Sequence, residues 1–310
     1  GKGMRIVQSE KQLKETLDAV SREALSYFGN GEIYLERYLE NPRHIEIQLL
    51  ADHHGQTLCL FERECSVQRR YQKIIEEAPA PFISDTLRQN LMQSAKRLAQ
   101  AISYSNAGTI EFLVSGEAFY FLEMNTRIQV EHPVTEKITG LDIVEQQLLI
   151  AMNKPLGINQ EDLKIQGHAI EVRVYAEDPY NGFRPSPGKL LHYQEPVMPG
   201  LRIDSAMQGQ MEISSLYDPM ISKMIAHGKD RSEARDILMD ALSCYAVHGI
   251  RTNISFLYDL LGSGEFLTTP PDTGYCDRFM QQGFSAADLP TEDFQWILPA
   301  FLFAATAAFN

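Results

Sequence analysis

The alternation of apolar and polar positions divides the chain into helical and extended stretches. Residues 9–28 place Leu13, Leu17, Val20 and Leu25 at helical spacing; Ser9 and Gln12 make a capping-box pattern before them, and Gly29-Asn30-Gly31 ends them. Residues 33–39, 44–51 and 57–62 are rich in strand formers, the last two forming a predicted hairpin across His53-His54-Gly55. Helical spacing returns over residues 85–102, and a second predicted hairpin joins 109–114 to 118–124 through Ser115-Gly116-Glu117. Beyond it we expect a helix over 142–152, a strand over 169–176 and another strand after Ser186-Pro187-Gly188. Helices follow over 232–245 and 253–261, with a last short one past Pro270 and Pro271. Strands mixed with helices, several of the strands antiparallel, predict an α+β (mixed α/β) fold.

Composition narrows the classes. A hydrophobic share of 44% and a charged share of 22% over 310 residues are those of a globular protein with a sizeable core. The formal net charge of −13 argues against a nucleic-acid partner, whose phosphates call for clustered Lys and Arg. Cys59, Cys65, Cys244 and Cys276 are scattered, with neither a CxxC pair nor a disulfide framework, which fits a reducing, cytoplasmic setting. No secretory signal opens the sequence. The apolar stretch 296–309 is shorter than the ~20 residues of a membrane span. Ser285 to Pro290 read as a linker before that stretch.

Candidate chemistry centres on the second hairpin. A turn at Gly116 and Glu117 brings Glu111 opposite Glu123, and two facing carboxylates call for a cation between them, a hard one such as Mg²⁺ or Mn²⁺. From Glu123 the polar residues Asn125, Arg127, Gln129 and Glu131 alternate with apolar ones, so an extended segment would present them all on one face. Arg127 is suited to gripping an oxyanion and Glu131 to acting as a base on it. The basic residues Arg63, Arg69, Arg70 and Lys73 are as well suited to phosphate as to a solvated face. The pattern by itself leads to metal-dependent phosphoryl chemistry and no further.

The run Glu123 to Glu136 resembles the signature of the biotin carboxylases, ATP-grasp enzymes that carboxylate biotin. Tyr38 to Gln48, Arg69 to Pro79 and Arg173 within Glu171 to Asp178 resemble them as well, and the likeness extends over residues 1 to about 284. It implies an ATP-grasp C-terminal subdomain joined to a biotin carboxylase C-terminal domain, an antiparallel sheet flanked by helices. Residues 1–36 would be the end of a glycine-rich lid, 37–165 the catalytic subdomain, 166–284 the C-terminal domain, and 285–310 a linker into a following domain.

The resemblance implies roles position by position. Glu111, Glu123 and Asn125 match metal ligands against the ATP phosphates. Glu36, Arg37 and Leu39 match the hinge beside the adenine, Met4 and Leu113 its apolar walls, His44 and Gln68 the ribose and neighbouring contacts. Lys73, Arg127, Gln129, Val130 and Glu131 match a bicarbonate pocket. Glu131 would deprotonate bicarbonate for attack on ATP, giving carboxyphosphate, and Arg173 would face the biotin enolate. Tyr71 departs from a histidine usual near the phosphates.

Further expectations follow from the likeness. Biotin would arrive on a carrier domain, and a carboxyltransferase beta subunit would complete an acyl-CoA carboxylase working as an oligomer in the cytoplasm or mitochondrial matrix. An N-terminal domain and lid lysines of the family have no counterpart here, so the 310-residue chain is expected to turn over little if at all. Two rivals stand beside this reading: an ATP-grasp ligase of the carbamoyl-phosphate synthetase type, and a non-catalytic assembly module.

Overall fold

The computed structural model describes residues 3–207 and 211–282. Its centre is an eight-stranded sheet, antiparallel at every pairing. In chain order the strands are β1 (Arg43–Ala51), β2 (Thr57–Arg69), β3 (Gln72–Ala78), β4 (Asn106–Ser115), β5 (Ala118–Asn125), β6 (His168–Tyr175), β7 (Leu201–Ser205) and β8 (Met220–Gly228). Across the sheet they run β7-β8-β6-β3-β2-β1-β4-β5. Strands from the N-terminal and C-terminal halves thus meet at the β3–β6 ladder in mid-sheet.

The alternation along each strand decides what the two faces hold. Ile45, Ile47 and Leu49 of β1 and Ile110, Phe112 and Val114 of β4 pack under helix α2 (Asp85–Ala101), which presents Leu87, Leu91 and Ala95 to them. The intervening His44, Glu46, Gln48, Thr109 and Glu111 lie on the opposite face, yet they too are buried. That face is covered by α3 (His132–Thr139), whose Val134 and Ile138 pack on Ala78, Ala169 and Ile225, and by α4 (Ile143–Ala151). Farther along, Ile170, Val172 and Val174 of β6 and Met224 of β8 turn toward α5 (Arg231–Cys244) and α6 (Ile254–Gly262). A face that is polar in sequence and buried in structure must satisfy its charges internally, and this is where the site forms.

Several sequence expectations hold. Helix α1 (Glu10–Phe28), both predicted hairpins, α2, α4, the strand at β6, α5 and α6 are all present, with a short α8 (Tyr275–Gln281) after the prolines and α7 (Gly264–Thr268). The α+β architecture of an antiparallel sheet flanked by helices is the one observed.

Others need correction. Residues 33–39 form no strand: strand formation needs a neighbouring ladder, and Tyr34 and Leu35 are 81% and 66% exposed with none beside them. Ser9 starts α1 without a side-chain cap; its backbone carbonyl takes the Gln12 N–H instead. The β2–β3 hairpin was not anticipated, because its turn residues Arg70 and Tyr71 are not usual left-handed formers, yet both have positive φ, 52° and 65°. The linker and apolar stretch from 285 onward lie outside the described residues. No helix among the described residues is long and apolar enough to cross a membrane.

Candidate active site

The β4–β5 ladder pairs Glu111 with Glu123 as expected, but through a register shift between Glu111 and Phe112: the Gly116-Glu117 turn alone would set Glu111 opposite Leu122. Asn125 bridges them: its Nδ2 lies 2.9 Å from Glu111 Oε1 and 3.1 Å from Glu123 Oε1. The alternation does not continue as a strand, however. β5 ends at Asn125, and the chain turns so that Glu131 stands at the N-terminus of α3. This turn lets Gln129 and Glu131 plunge into the sheet while Arg127 stays exposed, its Nη1 donating to the Ile128 carbonyl. A continuous strand would have left all of them at one edge; the turn divides them by depth.

At the centre Lys73 Nζ touches three carboxylates, Glu46 and Glu131 at 2.6 Å and Glu111 at 3.2 Å. Arg173 reaches the other oxygen of Glu131 at 3.0 Å, and its Nε donates to Glu76 at 2.6 Å. The Glu131 carboxylate is therefore held between an ammonium from β3 and a guanidinium from β6. Beneath it Arg63 is wholly buried and donates to Glu46, Gln48, Thr109, Gln129 and Thr135, so every side of the guanidinium is occupied. Gln129 passes the network on by donating to Glu111 Oε1 at 2.7 Å. Lys223 of β8 donates to the Val130 carbonyl, fixing the turn before α3.

Charge pairing outweighs burial at two of these acids. Burial alone would raise the Glu46 carboxyl, but Lys73 and Arg63 beside it bring it down to about 2. Burial likewise opposes ionisation of Glu111, and the His44 hydrogen bond with the Lys73 charge brings it to about 2. Lys73 and Arg173 are pushed up despite burial, by the carboxylates around them. Both stay charged.

The residues expected on the nucleotide side are partly assembled. His44 bridges Glu111 Oε2 and the Gln68 amide, each at 2.7 Å, and Leu113 pairs with His44 in the β1–β4 ladder. Met4, Glu36, Arg37 and Leu39 lie on segments that make no hydrogen bond to His44 or Gln68 among the described residues, and Tyr71 is 67% exposed at the β2–β3 turn. The basic cluster does not converge as a patch. Arg63 and Lys73 enter the site, Arg69 pairs with Glu177 and lies over the Phe183 ring, and Arg70 is exposed.

The oxygen donors of Glu111 and Glu123, with the Asn125 amide between them, fit a hard divalent cation. The amide group occupies the point where both carboxylates converge, and turning it would present a third oxygen there. The donor atoms of His44, Glu46 and Glu111 also cluster within 4.8 Å, but Lys73 already neutralises that cluster from inside.

Sequence reasoning missed Glu46, Glu76, Glu171 and Lys223, all buried on this face or at its edge, and read Arg63 as a phosphate-binding or solvated residue where it is a wholly buried link in the network. A signal for the first existed: His44, Glu46 and Gln48 alternate with apolar residues in a strand flanked on both sides in the sheet.

The antiparallel sheet with its helices, carrying a buried face of paired acidic and basic groups, is that of an ATP-grasp type of protein. A family model for the carbamoyl-phosphate synthase L chain ATP-binding domain matches residues 1–159, and one for the biotin carboxylase C-terminal domain matches 171–278. The second match, with the relatives, carries the distinction from the carbamoyl-phosphate synthetase type: the chain belongs to the biotin carboxylase family. Propionyl-CoA carboxylase alpha chain of Mus musculus is 48% identical over 93% of this chain and 40% of its own length. Biotin carboxylase 2 of Bacillus subtilis is 52% identical over 86% of this chain and 60% of its own. The biotin carboxylase of Campylobacter jejuni, solved as a beta-gamma-ATP complex, superposes with a TM-score of 0.86 at 40% identity, over 89% of this chain and 62% of that one. The biotin carboxylase domain dimer of Hydrogenobacter thermophilus 2-oxoglutarate carboxylase, solved with MgADP, ADP and bicarbonate, gives 0.87 at 39% identity, over 91% of this chain and 63% of that one. The chain thus spans roughly two fifths to three fifths of the length of these relatives.

Proposed function

We propose that this chain supplies the metal, bicarbonate and biotin-facing groups of an ATP-dependent biotin carboxylase, the first half-reaction of a biotin-dependent acyl-CoA carboxylase. The observation that carries the reading is Glu131, a carboxylate at a helix N-terminus held between Lys73 and Arg173. Bicarbonate entering beside it gives up its O–H proton to Glu131. The freed oxygen attacks the γ-phosphorus of ATP, the bond to ADP breaks, and carboxyphosphate results. Cleavage of its C–O bond releases CO₂ and phosphate. Phosphate takes the ureido N–H proton of biotin, and the nitrogen adds to CO₂. Lys73, Arg127, Gln129 and the backbone at Val130 hold the bicarbonate, and Arg173 offers its guanidinium to the developing enolate oxygen, where a preorganised charge is most effective.

Glu111, Glu123 and Asn125 would hold Mg²⁺ or Mn²⁺, which neutralises phosphate charge in such reactions. Met4, Glu36, Arg37, Leu39, His44, Gln68 and Leu113 form the adenosine side, with Tyr71 near the phosphates. We assign residues 37–165 to the catalytic subdomain and 166–284 to the C-terminal domain, with 1–36 as lid and 285–310 leading to a further domain. A biotin carrier domain brings the biotin, a carboxyltransferase beta subunit accepts the product, and the assembly is oligomeric, in the cytoplasm or mitochondrial matrix.

The test is an assay of the longer protein containing this segment, with ATP, bicarbonate and free biotin. Glu131→Ala and Arg173→Ala are each expected to lower biotin carboxylation at least a hundredfold, in the range of a general base or oxyanion-stabilising group. Full activity in both variants would sink the proposal.

A further inference from the structure

Two buried glutamates beside the site take no part in the chemistry above. Glu76 in β3 and Glu171 in β6 stand directly opposite each other in the ladder, and both are wholly buried. Glu76 Oε1 accepts from Arg173 Nε at 2.6 Å, whereas Glu76 Oε2 and both oxygens of Glu171 have no hydrogen-bond partner among the described residues. An ionised carboxylate with neither oxygen bonded to the protein and no exposure to bulk solvent is among the costliest arrangements a fold can hold, and two facing each other cost more.

The surrounding charges do not rescue Glu171. The groups near the pair are Lys73 on β3, Cys65 on β2, Glu131 at the start of α3, Arg173 and Tyr175 on β6, and Lys223 on β8. Lys73 is engaged by three carboxylates, Arg173 by Glu76 and Glu131, and Lys223 by the Val130 carbonyl and Asp204. Burial pushes both carboxyls up: Glu76 is opposed by the Arg173 guanidinium bonded to it, whereas Glu171, with no such bond and facing the Glu76 charge, goes well beyond the ordinary range.

We propose that the pair carries one proton, on Glu171, and that the remaining carboxylate, Glu76, is the fixed anchor that positions Arg173. This deepens the functional reading and rests on it for the use made of Arg173. In that reading Glu131 takes up a proton, so its hold on the guanidinium changes during turnover. Glu76 takes up no proton in those steps. An ionised Glu171 would compete for the same guanidinium and draw it along β6, away from Glu131.

Glu171→Gln keeps the shape and removes the ionisation. The folded protein retains a proton that the unfolded chain releases near the ordinary glutamate value of about 4.3. Above that pH the retained proton makes the unfolding constant rise an extra tenfold per pH unit. Urea unfolding between pH 5 and 7 is expected to show this extra factor in the wild type and its loss in Glu171→Gln; equal slopes would overturn the proposal. Should the variant fail to fold, the wild type alone decides, through a protonated-carboxyl C=O stretch in its infrared spectrum at neutral pH, whose absence would also overturn it. The anchor is read by NMR. The Arg173 Nε–H resonance, identified by its loss in Arg173→Lys, is expected to exchange slowly in the wild type and in Glu131→Gln and to disappear in Glu76→Gln; persistence in Glu76→Gln would refute the anchoring role. In the longer protein Glu76→Gln is expected to lower kcat for biotin carboxylation at an unchanged KM for ATP. Absence of any biotin carboxylation by the unsubstituted protein would strike the functional reading, while the unfolding and resonance results would still judge the pair.

Discussion

Replacing Lys73 by Met keeps the length of the side chain and removes the one ammonium that touches Glu46, Glu111 and Glu131. Each acid retains a second partner: Arg63 for Glu46, His44 for Glu111 and Arg173 for Glu131. The cost therefore falls at the lower end of that for breaking a buried ion pair, about 3 kcal/mol at pH 7. The pH dependence gives the sharper check. Glu46 and Glu111 sit at about 2 against an ordinary 4.5, so the stability they contribute is complete above pH 4.5 and is lost as pH falls toward 2. Without Lys73 both carboxyls rise, and at pH 4 the variant relieves its unpaired charge by binding protons that the wild type does not bind. Urea unfolding followed by circular dichroism should show a penalty at pH 4 smaller than that at pH 7 by more than about 1 kcal/mol, roughly one pKa unit's worth. A penalty below about 1 kcal/mol at pH 7, or one independent of pH, would refute the role given to Lys73.

Three further outcomes are expected. Glu111→Gln should flatten the acid limb, removing about 3 kcal/mol of the stability that the wild type loses between pH 4.5 and 2, by the same unfolding measurement. Arg127→Ala should change stability by less than about 0.5 kcal/mol, since the side chain is exposed and bonds only a neighbouring carbonyl, while raising the KM for bicarbonate in the longer protein several-fold or more. Phe256→Ala should cost about 3 to 5 kcal/mol, read from thermal or urea unfolding, because the ring is wholly buried and meets Phe183 and Phe279 edge to face.

What the sequence revealed follows the range of the interactions. Glu111 and Glu123 were legible only as two carboxylates on neighbouring strands of one hairpin: the turn by itself sets Glu111 opposite Leu122, and the irregularity between Glu111 and Phe112 that brings Glu123 into line has no signal in the sequence. The grouping of Lys73, Glu131 and Arg173 was not: these residues come from three elements and meet only when β3 and β6 pair across mid-sheet. The family resemblance put them in one reaction, but no spacing does. The alternation from Glu123 to Glu131 led to a strand where there is a turn, because period-two polarity also arises when successive residues serve different depths of a pocket. Residues 33–39 show the converse, strand-forming composition without a neighbouring strand to pair with. Glu46, Glu76 and Glu171 escaped notice, and Arg63 reads in sequence as a phosphate-binding or solvated residue, for one reason. Polar residues alternating in a strand ordinarily face water, and here α3, α4 and the turn before α3 cover that face.

The central claim is that Glu131 turns bicarbonate into the nucleophile that attacks ATP. Bicarbonate labelled with heavy oxygen, turned over with ATP and biotin by the longer protein, tests it most directly by mass analysis of the phosphate released. Attack by bicarbonate and later cleavage of the C–O bond leave one labelled oxygen in each phosphate, and Glu131→Gln should suppress the formation of that labelled phosphate. Phosphate released without label during biotin carboxylation would mean that water, not bicarbonate, attacks ATP, and would contradict the account.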